Sequence, residues 1–125
     1  MKKAAEVLSK TRREALVELS EHLGIEFQNI VLLHEALTHT SYANEAKNKG
    51  VVHNERLEFL GDAVLELATS TYLFERFPNR PEGELTKARA SIVREATLSR
   101  RAAELKLGEY LLLGHGEASM GGGHR

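Results

Sequence analysis

From Asn54 to Phe77 the chain keeps a helical period unbroken by proline, and Pro78 stops it. Asn54 has the chemistry of an N-cap. At about 100° per residue, Glu55, Glu58, Asp62 and Glu66 fall within a sector of roughly 80°. Leu57, Phe59, Leu60, Ala63, Val64, Leu67 and Ala68 cover the opposite half. A chain containing this helix must find a partner for the apolar half, which is predicted to face a core. The other face gathers four carboxylates.

An acidic stripe is most often a solvated surface, but two neighbours give this one a sharper reading. Asp62 is the only aspartate among eighteen acidic residues, and it stands mid-helix, where glutamate is the better helix former. Gly61 beside it costs about 1 kcal/mol relative to alanine in a helix interior. Two helix-unfriendly residues together mark a functional position. A glycine there also permits close approach of a backbone or ligand. Glu58 and Asp62 are one turn apart, about 6 Å along the axis, so both carboxylates can lean towards one point. Two hard oxygen donors at that spacing suit magnesium or manganese, which also keep waters and accept phosphate oxygens.

The remaining sequence reads as helices and punctuation. Its 125 residues suffice for one domain with a core. The absence of cysteine excludes disulfides and thiolate metal sites. No apolar run approaches a membrane span and the Lys2-Lys3 start leads into no signal-like core, so a soluble, cytoplasmic protein is expected. A net charge of −1 does not advertise a nucleic-acid partner, and any such binding must come from local clusters.

A helix is expected from about Lys3 to Leu23, with Leu8, Ala15, Leu16, Leu19 and Leu23 inward and Gly24 as its stop. Thr11-Arg12-Arg13 reads as a solvated basic cluster, and Ile25 and Phe27 as core. Asn29 caps a helix from Ile30 to about Thr38. His34 and His39 are badly spaced to share a metal on one helix face, which favours a hydrogen-bonded role for His39. Residues 43–53 read as a polar surface loop. Phe77-Pro78-Asn79-Arg80-Pro81-Glu82-Gly83 is the clearest punctuation. Residues 84–107 are helical, as one helix or two, with Gly108 closing them. Lys87, Arg94 and Arg101 recur every seven residues and would share one face, either solvated or in contact with phosphates. Tyr110-Leu111-Leu112-Leu113 requires burial, and a flexible glycine-rich tail follows. Strand-like alternation and internal repeats are both missing, so the fold class is all-α.

The string Glu55-Arg56-Leu57-Glu58-Phe59-Leu60-Gly61-Asp62-Ala63 resembles the signature of the ribonuclease III family. Ala36-Leu37-Thr38-His39-Thr40-Ser41-Tyr42-Ala43-Asn44-Glu45 resembles the block upstream of it, and Arg80-Pro81-Glu82-Gly83-Glu84-Leu85-Thr86 the block downstream. The resemblance implies a helical homodimer that cleaves double-stranded RNA with a divalent metal, Mg2+ or in its place Mn2+, leaving 5′-phosphate and 3′-hydroxyl ends. Carried over residue by residue, Glu58 is a metal ligand and Asp62 an essential acid beside it. Glu55 and Glu82 match family acids of the outer shell. Glu66 matches none and reads as surface. Phe59 and Leu60 belong to the core or the dimer contact.

Residues 1–125 then correspond to the N-terminal part of the family's endonuclease domain. In the family a further helix beyond a glycine-rich loop supplies an Asp-x-x-Glu pair, and a double-stranded-RNA-binding domain usually follows. The sequence ends inside such a loop. The expectation is therefore half a metal site, weak metal binding, inefficient cleavage, and an exposed, association-prone Tyr110–Leu113 segment. The competing readings are the front of a metal-dependent endonuclease, a non-cleaving binding or dimerisation module, and a helical bundle with an incidental acidic stripe.

Overall fold

The computed structural model describes residues 8–46 and 50–119. Among these, seven α-helices and one 3-10 turn are present, and the only β feature is an isolated bridge between Thr38 and Leu112. The all-α expectation is met. The expected helical residues 3–7, Lys47 to Lys49 of the predicted loop, and the end of the tail lie outside the described residues.

Helix α1 (Lys10–Leu23) starts where Ser9 Oγ accepts the Arg12 amide at 3.0 Å. It stops at Gly24, whose φ of 69° is the left-handed conformation that closes a helix cheaply only for glycine. Leu16 and Leu19 are fully buried and form the core with Leu33, Leu37 and Tyr110. Leu8, Ala15, Leu23 and Phe27 pack around them as the periodicity predicts. Ile25 does not enter the core and is half exposed. Its amide closes the α1 cap on the Ser20 carbonyl, and that turn leaves its side chain outside.

Helix α2 (Ile30–Ala36) is capped by Asn29, whose Oδ1 accepts the Val31 amide at 3.1 Å. A third helix, α3 (Thr40–Ala46), replaces the first part of the predicted loop. Its start is organised by His39 and Ser41, which bond each other and no strong hydrophobic period announces it.

Arg12 belongs to no solvated cluster. Its Nε donates to His34 Nδ1 at 3.1 Å and its Nη1 to the Tyr110 carbonyl at 2.8 Å. Tyr110 itself is buried against α1 and donates its hydroxyl to Glu18 Oε1 at 2.7 Å. That hydrogen bond, reinforced by burial and by the charges of Glu18 and Glu109, pushes the phenol up to about 12. The Tyr110–Leu113 segment is therefore docked rather than exposed. It is half-buried beyond Tyr110.

Helix α4 (Glu55–Arg76) is the longest element and ends at Phe77, before Pro78. Asn54 does not cap it with its side chain, which instead donates Nδ2 to the Ala36 carbonyl at 2.9 Å. The return helix splits into α5 (Glu82–Val93) and α6 (Glu95–Glu104). The break falls at Arg94, in extended conformation (φ −70°, ψ 154°), where the Thr97 hydroxyl takes the Ser91 carbonyl at 2.8 Å. A 3-10 turn (Leu107–Glu109) and a short α7 (His115–Ser119) follow, so the tail is partly helical. No helix among the described residues is long and apolar enough to cross a membrane.

The predicted core face of α4 is the main correction. Phe59 is 83% exposed, and Leu60, Val64, Leu67 and Phe74 are all exposed. Only Thr69 and Leu73 of this helix are buried. The core is built from α1, α2 and the 107–111 segment, and among the described residues nothing buries Phe59, Leu60, Val64 or Leu67 of α4.

Candidate functional site

The acidic stripe divides into engaged and unengaged members. Glu55 lies 3.8 Å from His53 Nε2. Glu66 lies 3.4 Å from Arg89 Nε, and the same guanidinium donates to Ser70 Oγ at 2.9 Å. Glu58 and Asp62, between them, have no ion pair or side-chain hydrogen bond among the described residues. They are one helical turn apart and both exposed. Every residue from Glu58 to Val64 is exposed, so the first half of α4 stands bare.

The second half explains why the pair lies where it does. Thr69 and Leu73 follow Asp62 by seven and eleven residues and so continue its line along the helix. They are buried beneath α5. One line of α4 is thus core in its second half and acidic in its first. Arg89 stands at the changeover, neutralising Glu66, and α5 then breaks at Arg94 without covering Glu58 or Asp62. Arg89 is not among the basic residues that the heptad spacing singles out. Its partners, Glu66 and Ser70, lie on another helix, Ser70 nineteen residues away, and leave no local signal.

Glu82 is not brought to the pair. It lines a hollow of about 430 Å³ between α4 and α5, with Ser70, Leu73, Phe74 and Leu85, and accepts the Thr86 hydroxyl at 3.2 Å. That hollow opens beside the last turns of α4, roughly 15 to 20 Å from Asp62 along the axis at 1.5 Å per residue. No group of three or more His, Asp or Glu able to hold a metal occurs among the described residues.

The basic triplet also separates. Lys87 is exposed on α5, Arg94 is the break itself, and Arg101 on α6 pairs with Glu104 at 3.4 Å. Heptad spacing places residues on one face only along a continuous helix, so the three form no common stripe. Phe59 and Leu60 border an open hollow of about 1030 Å³ with Glu35, Val52, His53 and Glu55. They lie outside the core.

What the pair can do chemically follows from its donors. Two carboxylates one turn apart, with no ion pair among the described residues, offer hard oxygens to a divalent ion that keeps waters in its remaining positions. They fill part of an octahedron.

Comparison with known proteins gives a consistent result. A family described as Ribonuclease-III-like matches residues 29–125. Ribonuclease 3 from Oceanobacillus iheyensis is 56% identical over 107 residues, covering 86% of this chain and 47% of that protein. Ribonuclease 3 from Natranaerobius thermophilus is 58% identical over 110 residues, covering 88% and 47% respectively. The chain spans about half the length of these curated relatives. Two solved structures of the nuclease domain of ribonuclease III from Campylobacter jejuni superpose with TM-scores of 0.77 and 0.76. They are 42% and 41% identical and cover 86% and 87% of this chain, against 71% and 70% of theirs. The first of the two is described as flexible in a region involved in dimer formation.

Proposed function

This chain belongs to the ribonuclease III family, and from that premise we propose that its protein hydrolyses phosphodiesters within double-stranded RNA in the cytoplasm. The single observation that carries the reading is the inequality within the acidic stripe. Glu66 is paired with Arg89 and Glu55 lies beside His53, whereas Glu58 and Asp62 make no ion pair among the described residues.

Unmatched carboxylates in close proximity repel each other, and a divalent cation relieves that repulsion. Glu58 and Asp62 would hold it, Mg2+ or in its place Mn2+, each through a carboxylate oxygen. When bound, the ion neutralises phosphate charge and favours attack by water at phosphorus. Cleavage of the bond between phosphorus and the 3′ oxygen leaves 5′-phosphate and 3′-hydroxyl ends. Glu55 orients the first turn of the helix through its contacts with His53 and stays outside the ligand set. Glu82, at the far end of α4, acts on this site only through a second protomer or a substrate that spans the distance.

Recognition of a duplex needs phosphate and 2′-hydroxyl contacts rather than base reading, and so can rest on a few local cations in a chain of net charge −1. Lys87 and Arg94, both exposed, are the candidates. The bare apolar half of α4, with Phe59 and Leu60 at its start, is the surface through which two copies would pair about a two-fold axis.

The test is metal-dependent cleavage of a long RNA duplex by the full-length protein. Wild type should cleave in Mg2+ or Mn2+, and Glu58→Gln and Asp62→Asn should bind the duplex but not cut it. Retained cleavage in both variants would remove the assignment. Duplex binding with no cleavage by the wild type would favour a non-cleaving module instead.

A further inference from the structure

The last carbonyls of α2 are what a helix terminus leaves without partners. Here they are taken up by two other parts of the chain. The Ala36 carbonyl accepts Asn54 Nδ2 at 2.9 Å, and the Thr38 carbonyl accepts the Asn54 amide at 2.9 Å. Between them, the Leu37 carbonyl accepts the Leu112 amide at 2.8 Å. The chain returns the contact one residue on, where the His39 amide donates to the Leu112 carbonyl at 3.0 Å.

A side-chain relay extends this junction to residue 114. The Gly114 amide donates to Ser41 Oγ at 2.8 Å, and Ser41 Oγ lies 2.8 Å from His39 Nδ1. The Ser41 amide also donates to that nitrogen, at 3.1 Å. With Nδ1 accepting the amide, the Ser41 hydroxyl can share the same acceptor. The relay thus runs from the Gly114 amide through the Ser41 hydroxyl to the His39 ring. Gly114 is itself required, because a Cβ there would meet Glu45 and stand 2.8 Å from the Ser41 carbonyl. Thr38, at the centre, is fully buried and bonds back to the His34 carbonyl at 2.7 Å.

Three consecutive peptide units thus set the start of α4 and the 112–114 segment against one reference. The first hydrogen bond of α4, from the Glu58 amide to the Asn54 carbonyl at 2.8 Å, begins at the same asparagine. We propose that Ser41, His39 and Asn54 are positioning residues that lock the first turn of the acidic helix to the segment entering α7. They would fix Glu58 and Asp62 relative to whatever that segment presents. This deepens the cleavage reading above and rests on it for its catalytic part. Its structural part stands alone.

The experiment uses Ser41→Ala, its conservative partner Ser41→Thr, and Asn54→Asp, which keeps the backbone donor but sets a carboxylate against the Ala36 carbonyl. Amide hydrogen exchange is read first. Ser41→Ala should speed exchange at Glu58, and Asn54→Asp should speed it at Leu112 and Gly114, with Ser41→Thr like wild type. Cleavage by the full-length protein is read second. The Mg2+ concentration for half-maximal cleavage should rise about tenfold in Ser41→Ala and Asn54→Asp, the scale of lost support around a metal ligand. Duplex affinity should stay within about twofold, and Ser41→Thr should restore the metal dependence. Exchange changes confined to the mutated segment would overturn the coupling. Coupled exchange with an unchanged metal requirement would overturn the positioning role, as would a loss of cleavage that merely tracks a loss of folded protein. Glu58→Gln run alongside separates the two levels: if it cleaves normally, the cleavage reading falls and exchange alone decides the junction.

Discussion

The α1–α2 side of this chain and the first half of α4 treat the same kinds of residue in opposite ways. Around Leu16 and Leu19 the apolar groups Leu33, Leu37 and Tyr110 are buried together, and even the charged Arg12 is drawn inward, onto His34 and the Tyr110 carbonyl. Around Glu58 and Asp62 nothing is covered. Phe59, Leu60, Val64 and Leu67 face outward beside two unmatched carboxylates. Burying side chains of this size is worth roughly 1.5 to 3 kcal/mol each. The first region holds the fold together, whereas the second leaves its apolar area and its charge uncovered.

The largest effect expected on that division is catalytic. In the full-length protein, Asp62→Asn and Glu58→Gln should each lower duplex cleavage about a thousandfold or more, some 4 kcal/mol on the barrier. Folding stability should be unchanged or slightly raised, because a repulsion is removed. A denaturation curve measured beside the cleavage assay checks both halves. Loss of stability in these variants would mean that the stripe belongs to the supporting region after all.

Next in size is the contrast between covered and bare leucines. Leu16→Ala or Leu19→Ala should destabilise the chain by about 2 to 5 kcal/mol in chemical denaturation. Leu67→Ala, at an exposed position, should change it by no more than about 0.5 kcal/mol at low protein concentration. Phe59→Ala should likewise spare the folded monomer while raising the dimer dissociation constant of the full-length protein about tenfold or more. Analytical ultracentrifugation checks the latter. A wild-type protein that stays monomeric would leave the apolar face without the partner inferred for it.

How far the sequence announced these regions depends on the range of the interactions. Helices α1 and α4 were legible because their signals are local: apolar spacing, the stop at Gly24, and Pro78 after Phe77. Asn29 capped as its chemistry suggested. Asn54 did not, because its amide found the Ala36 carbonyl eighteen residues away. Arg12 read as solvent-facing for a like reason, since its carbonyl partner is 98 residues distant. The break at Arg94 carries no glycine or proline and depends on Thr97 reaching back to Ser91. The acidic stripe was visible from periodicity alone. Its division into matched and unmatched carboxylates was not, because Arg89 comes from another helix. The family match and the fold agree with the resemblance read from the signature string.

A smaller effect probes the supporting side by pH. Tyr110 donates to Glu18 only while its phenol is protonated, and its ionisation is pushed up to about 12. Its folded value lies above the unfolded one of about 10. The stability it contributes is therefore fully present below about pH 10 and fades between about 10 and 12, as the unfolded chain loses its proton first. Absorbance titration should find one of the three tyrosines ionising late. Glu18→Gln should bring that tyrosine back towards 10 and cost about 1 kcal/mol at neutral pH. Three tyrosines titrating together would detach Tyr110 from the network that holds the 110–113 segment.

The smallest expected effect bears most directly on what approaches the bare helix. Gly61 is helical and exposed, and a Cβ built on it meets nothing within 4 Å. Judged by this chain alone, Gly61→Ala should stabilise it by about 0.5 to 1 kcal/mol, the ordinary helix-propensity gain. That raises the melting temperature by a few degrees, on the order of 3–6 °C for a domain of this size. A glycine that costs stability and touches nothing has a reason for being there only if something outside the described chain comes close. In the full-length protein the same substitution should therefore lower cleavage, dimer affinity or both, while the isolated chain gains stability. The opposite signs in the two settings are the informative result. Should Gly61→Ala stabilise the chain and leave assembly and cleavage untouched, nothing packs against that position, and the neighbourhood of Asp62 is open to solvent in the working protein as well.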